Sequence, residues 1–149
     1  MKETFSINDV AMITSLSTRT IRTYISTGFL NGEKVNGAWQ FTPEQVEAFT
    51  QNRTVRPSIK AKKNAIVFDF LGTKPYNRNK MCTILDLAAS EALTASVFFC
   101  EKISACSPEA ELRFASDPVG TGVRLILSGS PNDVMNLMNQ YFNNKLSNG

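Results

Sequence analysis

Ser17, Thr18, Arg19, Thr20, Arg22, Thr23 and Tyr24 fall within eight consecutive positions. Hydroxyl and guanidinium groups on one short segment suit phosphate oxygens and the edges of guanine. If the segment is helical, Ile21 and Ile25 point inward at i, i+4 spacing, and Arg19, Arg22 and Thr23 are left outward. An ordinary helical hairpin with a solvated charged face would not explain the bias in sign. Between Val10 and Gly32 there is no Asp or Glu at all. The chemistry offered is that of a surface facing a polyanion, and no other stretch of the chain concentrates such groups.

The flanking residues supply elements that can hold this segment. Ser6 opens a first helix, with Asp9 three residues on as its capping-box partner and Ile7, Val10, Ala11 and Ile13 as its apolar face. Thr14-Ser15-Leu16 forms the turn, Ser17 caps the second helix from Thr18 to about Thr27, and Gly28 is a suitable stop. Asn31-Gly32 and Asn36-Gly37 are tight-turn signals, and Val35, Trp39 and Phe41 around the second of them predict a short β-ribbon. Thr42-Pro43-Glu44-Gln45 then starts a third helix, with Thr as cap, Pro at the first position and Gln as reciprocal partner, buried through Val46 and Phe49. Helix–turn–helix, ribbon, helix is a winged helix-turn-helix order.

LSTRTIRTYISTGFL followed by NGAWQFTPEQVEAF resembles the DNA-binding head of MerR-type transcription regulators, over residues 4–50. That family has a Ser-x-Arg-Thr-aliphatic-Arg-x-Tyr recognition helix, a Gly-aliphatic-aliphatic step, a wing, and a third helix after Thr or Ser. The resemblance implies that Thr18, Arg19, Arg22 and Tyr24 face DNA from the second helix. It places Lys34 and Trp39 on or beside the wing, where Asn36 joins the candidate contacts with Ser17, Thr20 and Thr23 of the recognition helix. Two departures stand out. Thr23 precedes Tyr24 where the family has adjacent aromatics, and the wing reads Gly37-Ala38-Trp39-Gln40-Phe41 without the family's arginine. That wing also resembles excisionase-type heads, which share the fold. The expected function is a sequence-specific, DNA-binding transcription regulator. The alternative is an excisionase-like architectural factor that bends DNA.

Charge is uneven along the chain. Residues 1–63 hold nine Lys or Arg against five Asp or Glu, and residues 64–149 hold seven against eight. The run from Arg53 to Lys63 holds five basic residues and no acid, so Lys60, Lys62 and Lys63 join the candidate phosphate contacts. Residues 59–71 fit either a helix or a short buried strand, with Ala and Lys in the first half favouring a helix. Gly72 to Lys80 reads as a linker.

From Met81 a second unit follows. CTILDLA is a strand, and a helix runs from Ser90 to about Ala105 with burial on two sides. Glu111–Ser116 and Gly122–Ser128 form a hairpin around Asp117-Pro118 and Gly120-Thr121-Gly122, and a capped helix runs from Asn132 to about Lys145. Gly120-Thr121-Gly122 lies between two strands, the wrong place for a phosphate loop. Asp86, Asp117 and Asp133 sit on separate elements with no base or nucleophile, so no enzyme is expected.

The fold class expected is therefore α+β, a winged helix-turn-helix followed by a small β-α-β-β-α sandwich. The divisions are a DNA-binding head at 1–56, a basic helix and linker at 57–80, and a dimerisation or sensor unit at 81–149. The long pairing helix of the resembled family is absent, so a homodimer would form through 81–149. Double-stranded DNA is the expected partner, with RNA polymerase a further candidate. Cys82, Cys100 and Cys106 make no CxxC pair and histidine is absent, so neither metal nor cofactor is expected. The N-terminus lacks a signal-peptide core and no apolar run is long enough to span a membrane, which favours a cytoplasmic protein.

Overall fold

In the computed structural model, which describes residues 4–73 and 78–148, the first three helices and the ribbon follow the capping chemistry closely. Helix α1 spans Ile7–Thr14, with the Ser6–Asp9 capping box formed in both directions. Helix α2 spans Thr18–Ser26, and the Thr20 amide donates to the Ser17 hydroxyl at 3.1 Å. Gly28 ends it at φ 86°. Strands β1 (Glu33–Val35) and β2 (Ala38–Gln40) pair antiparallel. Asn36 and Gly37 both take positive φ in the turn between them, as the tightest hairpin turn requires. Helix α3 spans Pro43–Gln51, with a second reciprocal box between Thr42 and Gln45. Phe5 and Phe41 bridge backbone to backbone and tie the start of the head to the end of its ribbon.

Helix α4 runs Arg56–Gly72, which settles the ambiguity of residues 59–71 in favour of a helix. Part of the expected linker, residues 74–77, lies outside the described residues. The second unit comprises β3 (Met81–Ala88), a 3-10 turn at Ala89–Glu91, α5 (Ala92–Ser104), β4 (Arg113–Val119), β5 (Gly122–Gly129) and α6 (Pro131–Asn148). Strand β5 lies between β3 and β4 and runs antiparallel to both. Because the 3-10 turn takes Ser90, α5 starts two residues later than expected. Strand β4 also absorbs Asp117 and Pro118, which the sequence reading left in the turn. Pro118 can sit in a strand because β4 is an edge, where a missing amide need not break a ladder.

Both faces of the sheet are covered. One face buries Leu87, Phe114, Val123, Leu125 and Leu127 with Ala95 and Phe99 of α5 and Val134, Leu137 and Tyr141 of α6. The Phe99 ring stacks on Phe114 and on Tyr141, both with centroids 5.5 Å apart. The Tyr141 hydroxyl donates to Glu91 at 2.8 Å, and burial together with this bond pushes the phenol well above its usual range. The other face buries Ala115 and Ile126 under Ile66 of α4. Helix α4 is thus a structural cover as well as a connection.

Helix α5 also packs the other way. Its Val97 and Cys100 belong to the core of the head, with Val10, Ile13, Ile21, Phe41 and Phe49. The Ser15 hydroxyl donates to the Phe114 carbonyl at 3.0 Å, joining the turn after α1 to β4. The Cys100 thiol is buried and faces the Asp9 carbonyl at 3.9 Å. Burial pushes the Cys82 thiol up, away from the reactive thiolate.

One close approach fixes the strand spacing. A Cβ added at Gly122 would lie 2.4 Å from the carbonyl oxygen of Leu87, a backbone atom locked in the β3–β5 ladder. Gly122→Ala is expected to cost about 1–3 kcal/mol, the usual penalty of overpacking. Urea unfolding followed by circular dichroism measures it. A variant as stable as the parent would show that the ladder yields there.

Candidate nucleic-acid interface

Helix α2 is held from one side only. Ile21 is fully buried and Ile25 half-buried, and Thr18, Arg19, Arg22, Thr23 and Ser26 are exposed. Neither Arg19 nor Arg22 makes an ion pair among the described residues, and no acid sits on the helix. Two long guanidinium side chains therefore stand in solvent beside hydroxyls. An unpaired cationic face of this kind adds nothing evident to folding and is suited to an anionic partner.

The hydroxyls divide by what they already bond. Ser17 caps α2 and also meets the Thr20 hydroxyl at 2.9 Å. Thr23 donates back to the Arg19 carbonyl at 3.2 Å, which leaves its oxygen free to accept. Tyr24 is turned into the head. Its ring meets Phe29 and Phe49 edge-on, with centroids 5.8 and 5.4 Å away, and it is half-buried. On the ribbon, Trp39 stacks on Phe41 at 6.3 Å, and the Lys34 ammonium lies over the indole at 5.9 Å. Asn36 is exposed at the tip of the turn. Helix α2 and the ribbon belong to the same small core, so the fold brings these two sets of candidate residues onto one head.

The lysines of α4 separate. Lys60 and Lys62 are exposed. Lys63 is not, which corrects its place among the phosphate contacts. Its ammonium is paired with the Asp117 carboxylate on β4, and both side chains are about 95% buried. The i, i+4, i+7 spacing of Ile59, Lys63 and Ile66 puts all three on the buried side of α4, Ile59 against the core of the head and Lys63 and Ile66 against the sheet, which decides the outcome. The sequence offered no signal for this pair, because its partners lie 54 residues apart. A second pair, Arg113 with Asp69 at 2.9 Å, also fastens α4 to β4.

A helix-turn-helix head that exposes arginines and hydroxyls on its second helix is a DNA-binding module by class. Residues 5–56 match the family model described as MerR HTH family regulatory protein, and the match ends where α4 begins. The N-terminal head is a MerR-type DNA-binding head, and the chain carries the DNA-binding part of a transcription regulator. No curated protein and no solved structure is similar enough to the chain to count as a match. Among the described residues, no helix is long and apolar enough to cross a membrane.

Proposed function

We propose that the protein is a sequence-specific, cytoplasmic transcription regulator that lays α2 in the major groove of double-stranded DNA, with the ribbon as a wing against the flanking backbone. The carrying observation is the exposed, acid-free face of α2, with no ion pair at Arg19 or Arg22 among the described residues. Arg22 stands mid-helix, where a bidentate contact to guanine is within reach. Ser17, Thr18 and Thr20 supply hydroxyls for phosphates, and Lys34 and Asn36 supply an ammonium and an amide from the wing. Tyr24 and Trp39 act by holding the head together, since both rings are packed on other aromatics. The β-α-β-β-α unit pairs two copies, because a single small module gives a footprint too small for useful specificity. RNA polymerase is the further partner such a regulator would need.

Selection of bound sequences from random DNA tests this reading. The expected result is a palindrome whose half-sites lie about one helical turn apart, or a multiple of it. Binding without any enriched sequence would sink the regulator. Strong bending with cooperative filaments would point instead to the architectural role that the arginine-free wing suggests.

Exposed Lys60 and Lys62 give a separate expectation. Neutralising both should weaken binding alike on every sequence and flatten the dependence of log affinity on log salt by up to about 0.9 per lost contact. Lys63 should not contribute to that slope, because its charge is spent on Asp117. An unchanged slope in the Lys60/Lys62 variant would make those lysines a solvated helix face only.

A further inference from the structure

A cavity of about 440 Å³ opens between the head and the second unit, within the range of small-molecule sites. Residues of α3, of α5 and of the Gly120–Thr121–Gly122 turn line it. Val46, Leu93 and Val123 make much of it apolar. The Ser96 and Ser116 hydroxyls also line it, each at least nine-tenths buried. They meet each other at 3.5 Å, and no other partner is present for either among the described residues. Two hydroxyls facing each other can share one proton, so the second is left with no acceptor there. Among the described residues, the charged ones of the lining are Glu44 and Glu47, and no Lys or Arg accompanies them. One turn of α3 separates the two carboxylates, which puts both on the same side of that helix. Glu47 is approached by the Gln51 amide at 3.5 Å, too long to neutralise it.

From this combination we propose that the cavity binds a small organic cation, an ammonium group on an apolar alkyl or aryl body. The ammonium sits at the Glu44 and Glu47 carboxylates and the apolar body lies against Val46, Leu93 and Val123. A hydrogen-bond acceptor at the far end of a natural ligand would take the spare Ser96 or Ser116 proton. Such a ligand touches α3 of the head and α5 of the second unit at once. The proposal concerns binding to the free protein and is independent of the DNA reading.

The test uses the full chain without DNA and three compounds of one skeleton: phenylbutylamine, phenylbutanol and phenylbutyrate. Ligands of this size are expected to bind with dissociation constants on the order of 1 mM or below. Calorimetry should rank the amine about tenfold ahead of the alcohol, with the carboxylate last. The surface double variant Glu44→Gln/Glu47→Gln should bring the amine down to the alcohol and leave the alcohol unchanged. Amide shifts in the NMR spectrum on adding the amine should centre on Leu93 and Gly120–Gly122. Equal affinity for the three compounds would overturn the proposal. So would a double variant that keeps the amine preference, or shifts confined to other parts of the chain.

Discussion

Lys63→Met is expected to lower the free energy of unfolding by about 3–5 kcal/mol, because it leaves a charged Asp117 buried without its partner. The side chains are 5% and 6% exposed, so water cannot take over the lost contact without opening the α4–sheet packing. The nearest substitute is Arg124, opposite Asp117 across the ladder, and it already forks onto Asp86 at 2.7 and 3.0 Å. Those bonds hold the Asp86 carboxyl below its usual range. Replacing both partners, Lys63→Met with Asp117→Leu, should recover most of the loss, since matched apolar groups can stand in for a buried pair. Urea unfolding of parent, both single variants and the double closes a cycle that isolates the pairwise part. A single variant that loses under about 1 kcal/mol would mean that water reaches the pair, as for surface ion pairs.

Arg22→Ala carries the largest expected effect on DNA. It should weaken specific binding by about 1–3 kcal/mol and relax the preference at one base position, leaving the other positions as they were. The variant is informative because Arg22 is exposed and makes no ion pair among the described residues, so its removal should leave thermal stability within about 0.5 kcal/mol of the parent. Thr23 beside it is a control, since its hydroxyl donates to the helix's own backbone. An unaltered sequence preference in a folded Arg22→Ala protein would remove this residue from base reading and move attention to Arg19.

Local chemistry made the head readable before any coordinates. Ser6 with Asp9, Thr42 with Gln45, and Asn36-Gly37 each specify an element within four residues, and each adopts the conformation its type demands. Boundaries blurred where non-local packing decides them. Pro118 looked like a turn residue and lies in an edge strand. The alternation of Ile66, Phe68 and Phe70 left residues 59–71 open between helix and strand, with the helix favoured, and in the helix Lys63 and Ile66 meet the sheet. Lys63 itself could not be told from Lys60 and Lys62, because only the fold brings Asp117 to it. The α3–α5 cavity was equally hidden, since its walls come from segments some 40 residues apart whose packing no short motif records.

The fastening of α1 onto α5 and β4 bears on how binding specificity can be altered by design or by descent. Met12 packs against both hydrophobic clusters, and Val97 and Cys100 complete the core that Val10 and Ile13 begin. The head is not a cassette. Transplanted onto a foreign pairing unit, it would leave that seam bare and lose the Ser15 anchor to Phe114. New target sequences are therefore reached by rewriting the few outward residues of α2, in place, and not by exchanging whole modules.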